Sequence, residues 1–113
     1  MNYKVSLQPL AKSDLEAAYL WAARSAPESA ARWLSRFETA LQTLSQNPER
    51  CSFSREHDRI EEIELREFFF GKRANNYRVI FTVDSDTVQI LRIRRTRRQV
   101  LSTKQIRQAL DSE

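Results

Sequence analysis

Between Ile63 and Arg94 the chain passes through three runs of β-forming residues, IELREFFF (63 to 70), NYRVIFTV (76 to 83) and DTVQILRIR (86 to 94), joined by links of only five and two residues. Links that short cannot carry a parallel crossover, so the three runs must lie side by side as an antiparallel meander. The single glycine, Gly71, stands in the first link, where a turn can require positive φ, and Asp84-Ser85-Asp86 supplies turn chemistry at the second.

The first half of the chain has a different period. Tyr3, Val5 and Leu7 alternate with polar neighbours, which predicts a short strand over 3–8. Leu15, Ala18, Tyr19 and Ala22 then follow helical spacing and predict a helix over 11–24. Pro27 suits a first helical turn and Glu28 favours its positive end. Ala30, Trp33, Leu34, Phe37, Leu41 and Leu44 continue an apolar stripe until Asn47-Pro48 stops it. Two helices joined through a few residues around Ala26 must pack as an antiparallel hairpin. The segment 49–62 is polar and aperiodic and reads as a loop, while Ser102 and Gln105 have capping-box spacing ahead of Ile106, Ala109 and Leu110, predicting a short C-terminal helix. The expected fold is therefore α+β, of order β-α-α-β-β-β with that terminal helix. The helical hairpin should cover one face of an antiparallel sheet in a single domain spanning 1–113.

Several functions are excluded by what the chain contains. Its one cysteine, Cys51, has no internal partner, and with a single His57 it cannot assemble a Cys/His metal site. Neither metal nor cofactor is expected. The longest apolar run, AAYLWAA (17 to 23), is too short to span a bilayer and MNYKVSLQP is no signal segment, so the reading is a cytoplasmic protein. The formal charge of +4 is unevenly placed: 1–65 carries −2, 66–98 carries +6 and 99–113 is balanced. A basic segment of that size implies an anionic partner.

Five of the seven positions from Arg92 to Arg98 are arginine, crowded at the end of what reads as a core strand. Simple alternation puts odd-numbered Ile63, Leu65, Phe69, Tyr77, Val79, Phe81, Val83, Leu91 and Ile93 under the helices. Even-numbered Glu64, Arg66, Arg78, Thr82, Arg92 and Arg94 fall on the other face. On this reading one sheet face gathers Arg66, Arg78 and the arginines of the last strand, with Arg78 alternatively paired to Asp84 or Glu64; Phe68 and Phe70 either interleave as stacking surfaces or, the favoured alternative, pack in the core or against a partner.

The order of elements, the hairpin sequence SAPESAARWLSRFETALQTLSQNP and the run LREFFFGKRANNYRVIFTVDSDTVQILRIRRTRR together resemble the RelE/ParE superfamily of bacterial type II toxins, over nearly the whole chain. In ribonuclease members, basic side chains on the sheet and a C-terminal tyrosine or histidine cleave messenger RNA on the ribosome. That resemblance implies Arg66, Arg78 and Arg98, or Arg97 by a one-residue shift, as candidate catalytic residues. Where such members carry a proton-transfer group, this chain has Gln99, Val100, Leu101, Ser102 and Thr103, and arginine is too strongly protonated to act as acid or base near neutral pH.

The wording FFFGKR and YRVIFTV is closer to ParE-like members, which inhibit DNA gyrase without cleaving nucleic acid. The resemblance thus implies a growth-inhibiting, ParE-like toxin of a plasmid-stabilisation type. Lys72, Arg73, Arg78, Arg92, Arg94, Arg95, Arg97 and Arg98 are its candidate target-binding residues. A co-encoded acidic antitoxin is implied as partner, with Phe68, Phe70, Trp21 and Trp33 as its candidate contacts. The alternatives are a ribosome-dependent messenger endoribonuclease and a non-toxic basic domain that binds nucleic acid.

Overall fold

The computed structural model describes residues 2–72 and 76–112. Strand β1 (Lys4–Leu7) leads into helix α1 (Pro9–Ala23) and helix α2 (Pro27–Gln42). Strands β2 (Arg66–Phe70), β3 (Tyr77–Asp84) and β4 (Thr87–Arg95) follow, and helix α3 (Thr103–Asp111) closes the chain. The α+β class and the order of elements are as the sequence predicts. Proline occupies the first turn of both hairpin helices, where its missing N–H costs nothing. Helix α2 ends at Gln42, earlier than the stripe suggests, and passes into a 3₁₀ turn over Thr43–Ser45. Asn47 beyond it is left-handed at φ 48°, and the Arg50 guanidinium donates to the carbonyls of Gln46 (2.6 Å) and Asn47 (3.2 Å), satisfying chain-end acceptors. Gly71 has φ 107°, the positive value expected of it. At α3 the capping box is complete: Ser102 Oγ accepts from the Gln105 N–H and the Gln105 side chain accepts from the Ser102 N–H.

The sheet order is β1-β4-β3-β2. The meander β2-β3-β4 is antiparallel, but β1 pairs in parallel with β4, Lys4 opposite Thr87 and Leu7 opposite Ile90. The sheet is therefore mixed rather than antiparallel throughout. The physical reason is that β3 is already flanked by β2 and β4, leaving the outer edge of β4 for β1, and the long intervening chain supplies the crossover a parallel pair needs.

Register overturns part of the expected sorting of faces. Arg66 pairs with Phe81, Phe68 with Val79 and Phe70 with Tyr77, and directly opposed residues share a face. So the even positions of β2 point toward the helical hairpin. Phe68 and Phe70 are half-buried against a cluster built from Leu15, Phe37, Leu41, Tyr77, Val79, Phe81, Val88, Ile90 and Ile93, and Phe70 lies 4.4 Å from Phe37 between ring centroids. Phe69, expected in the core, is 43% exposed. In β4 an irregularity opposite Ile80 and Phe81 shifts the phase: Ile90 opposes Phe81 but Arg92 opposes Ile80, so Leu91 leaves the hairpin face.

The hairpin is not the only cover. A second cluster on the other side of the sheet holds Ile60, Leu65, Ile80, Leu91, Leu101, Ile106 and Ala109, contributed by the segment after the hairpin, the sheet and α3. A sheet buried on both faces has room for polar side chains there only if they are paired, and this conditions the site.

Candidate functional site

The arginines expected on one face are distributed over two. Arg66 emerges on the hairpin side, its guanidinium donating to the carbonyls of Cys51 (2.6 Å) and Glu49 (3.2 Å) and lying over the Phe53 ring at 4.5 Å. Those contacts tie β2 to the 49–54 segment, which also pairs along the outer edge of β2 through the Ser54 N–H to the Leu65 carbonyl and the Glu67 N–H to the Ser52 carbonyl. Arg78 points the other way and is 0% exposed. Both of its terminal nitrogens donate to Glu56, at 2.6 and 2.8 Å, and one also reaches Glu67 at 3.3 Å.

Glu56 is equally buried and accepts the Leu101 N–H at 2.9 Å, which fixes the C-terminal segment to the same carboxylate. Burial works to raise the Glu56 carboxyl, but the hydrogen bonds from Arg78 and Leu101 and the Arg78 charge outweigh it and hold the group below the usual carboxylate range. Arg78 is thus an internal brace and not the surface cation that the sequence suggests, with Glu56 and Glu67 as partners.

Arg92 is also engaged. Its Nε and Nη2 donate to the two oxygens of Asp14 on α1, at 2.7 and 3.0 Å, and Asp14 accepts the Ile93 N–H at 2.9 Å. β1 stops opposite Ile90, so the edge of β4 beyond it needs cover, and the Asp14 carboxylate supplies it. Between α1 and this end of β4 lies a groove of about 440 Å³ lined by Asp14, Ala17, Ala18, Trp21, Tyr77, Ile93, Arg94, Arg95 and Arg98. Arg94, opposite Arg78 in the ladder, and Arg95, opposite Tyr77, reach it from the two sides of the sheet.

Arg95 lies over the faces of Trp21 (5.0 Å) and Tyr77 (5.6 Å), a cation–π arrangement that fixes the guanidinium in place. Arg98 is brought back over the groove by a turn in which its N–H donates to the Arg95 carbonyl at 3.0 Å. Arg97 is exposed on the same turn and Lys72 is exposed after β2, away from the groove lining. Arg73 lies outside the described residues.

The groove continues into a second, more apolar cleft of about 210 Å³ lined by Ala18, Trp21, Ala22, Ala26, Ala30, Trp33 and Tyr77, among others. Trp21 is 61% exposed at the junction, and Trp33, half-buried, packs edge-on against Phe37 at 5.3 Å. Of the aromatics expected at a partner surface, Trp21 and Trp33 line this cleft, whereas Phe68 and Phe70 belong to the hairpin core. Phe53 is exposed and stacks on His57 at 4.1 Å, which sequence reading missed because it sits in a segment without periodicity. Among the described residues no cluster of three or more His, Cys, Asp or Glu side chains is placed to hold a metal, and no helix is long and apolar enough to cross a membrane.

A hairpin of two helices on a mixed four-stranded sheet, with cations gathered where the last strand ends, is the frame of a RelE/ParE-superfamily toxin. The family model described as the ParE toxin of the type II toxin–antitoxin system, parDE, matches residues 5–100, and the chain belongs to that family. A solved structure of the chromosomal ParDE TA system from P. aeruginosa contains a chain of the same fold. That chain is 22% identical, with a TM-score of 0.64 over 82% of this chain and 95% of its own length. No match was found among curated protein sequences. Family membership makes this chain the toxin of a toxin–antitoxin pair, with an antitoxin as its partner.

Proposed function

We propose that the protein inhibits DNA gyrase by binding and not by cleaving nucleic acid, and that its antitoxin neutralises it in the cytoplasm. The observation that carries this reading is the separation of the cations. A phosphodiester-cleaving centre would need Arg66, Arg78 and Arg98, or Arg97, to converge. Instead Arg66 is bonded to main chain on one side of the sheet and Arg78 is locked under Glu56 on the other. What remains accessible at the end of β4 is a surface of guanidiniums with aromatic walls, suited to recognition. Arg95, Arg97 and Arg98, with Lys72 at the margin, are the residues we assign to the target. The apolar cleft between Trp21 and Trp33 we assign to the antitoxin, an acidic segment that orders on binding.

The purified protein should reduce gyrase supercoiling in a dose-dependent way and leave ribosome-bound messenger uncut. Replacing Arg97 and Arg98 together with glutamine should sharply weaken inhibition with little change in Tm, since exposed charges contribute little to stability. Codon-dependent cleavage of messenger on the ribosome, lost in Arg98→Gln, would instead establish the ribonuclease.

A further inference from the structure

Most arginines around the end of β4 have a visible partner: Arg78 has Glu56 and Glu67, Arg92 has Asp14, and Arg95 has two ring faces. Arg94 differs. It is 7% exposed, it lines the groove, and its Nε, like that of Arg78, has no hydrogen-bond partner among the described residues; unlike Arg78, it has no described carboxylate bonded to its terminal nitrogens. The charges acting on it are mainly like its own, Arg98 and Arg92 and more weakly Arg78. The one opposing charge, Asp14, already has both oxygens engaged by Arg92 and the Ile93 N–H. Burial first, then Arg98 and Arg92, depress the Arg94 pKa. A guanidinium taken from water without counter-charge or a full set of acceptors is costly, so its retention at the base of an open groove marks a place for an anion from outside.

The donors decide which anion. Arg94 reaches the groove from one side of the sheet, Arg95 from the other, and Arg98 from the turn above. A carboxylate carries one charge and its acceptor sites lie in one plane, whereas a phosphate monoester presents three acceptor oxygens in a tetrahedral array and close to two negative charges, the better match to three cations arriving from different directions. The cleft adjoining the groove, walled by Trp21 and Trp33, is of a size and character for a flat aromatic base beside that phosphate. We propose that the groove between α1 and the end of β4 is a phosphate-binding site, with Arg94, Arg95 and Arg98 as its donors, that takes the phosphate of a nucleotide unit with its base in the Trp21–Trp33 cleft. This goes beyond gyrase inhibition and does not require it; the cleft assigned above to the antitoxin holds the base in the free toxin, so the two occupants exclude one another there.

The only two tryptophans of the chain lie at this site, so intrinsic fluorescence reports its occupancy. At low ionic strength, titration of the full-length protein with AMP should saturate, inorganic phosphate should bind at least tenfold more weakly, and adenosine should not bind. An oligodeoxynucleotide carrying a 5′-phosphate should compete with AMP better than its 5′-hydroxyl counterpart if nucleic-acid ends are the source. Equal competition by the two makes the free nucleotide the source. Arg94→Gln should weaken AMP binding by tenfold or more, as should Arg98→Gln, whose exposed position keeps the test valid if Arg94→Gln unfolds. Lys104→Gln, on the exposed start of α3, should leave binding unchanged.

Failure of AMP and phosphate to saturate at millimolar concentration, or adenosine binding as well as AMP, would overturn the proposal. So would wild-type affinity in Arg98→Gln, and hexaglutamate displacing AMP at lower concentration would reassign the groove to an acidic peptide. Arg97→Gln, assigned to the target but outside the groove lining, should weaken gyrase inhibition and leave AMP binding unchanged, which keeps the two readings separable.

Discussion

Three separated parts of the chain meet at the Glu56 carboxylate, which accepts from both terminal nitrogens of Arg78 and from the Leu101 N–H. Removing one member of a buried ion pair strands the other, so Arg78→Met should lower stability by about 3–5 kcal/mol, and the double change Glu56→Gln with Arg78→Met should recover a substantial part. Urea unfolding of the two variants beside the parent measures this. The same carboxylate sets a pH dependence. Its folded pKa lies below its ordinary value of 4.5, so its contribution is complete above that value and is lost as pH falls through the folded pKa. Unfolding free energy should therefore drop below about pH 4.5, and Glu56→Gln should flatten that limb of a pH titration. Glu56 could not be found from sequence, because it sits in a segment with no period and its partner Arg78 looks like a strand's solvent-facing residue. The buried neighbours of Arg78 on both sides, Tyr77 and Val79, gave no sign that the position between them is buried too.

At the scale of elements, the hairpin helices, the meander and the capped α3 were legible because each rests on local chemistry: a long apolar stripe, short links, and a serine and glutamine at capping distance. The phase of β2 was not legible. Phe68, Phe69 and Phe70 are chemically identical, so the sequence holds no contrast from which to choose which of them faces in, and the ladder with β3 makes the choice. Phe70→Ala should cost roughly 2–3 kcal/mol, somewhat under the cost of a fully buried phenylalanine, whereas Phe69→Ser should stay within about 0.5 kcal/mol. Thermal or chemical melts of the pair distinguish the observed register from one slipped by a single residue, which would reverse the order. The shift in β4 is the second hidden feature. By moving Leu91 to the far side it lets a strand with core residues on both faces still deliver Arg94 and Arg95 to one groove.

For the molecule as a whole, the two clusters on opposite faces of one sheet make α3 part of the fold and not an appendage. Leu101, Ile106 and Ala109 lie in the second cluster, and the Leu101 N–H completes the acceptors of Glu56. A chain ending after Arg98 should lose cooperative unfolding by circular dichroism and expose apolar surface to a hydrophobic dye, although every cation of the groove is still present. A truncated protein melting as sharply as the parent would show that α3 is dispensable.

The pairing of Lys4 with Thr87 has a consequence in time. The first strand waits for the last, and the groove needs Asp14 from one end of the chain and Arg98 from the other. A pairing that spans most of the sequence cannot close until both segments have emerged, and synthesis proceeds at only about 5–20 residues per second. Its recognition surface is thus a late product of folding, assembled only when α1 and the turn after β4 have met, and never a property of either segment alone.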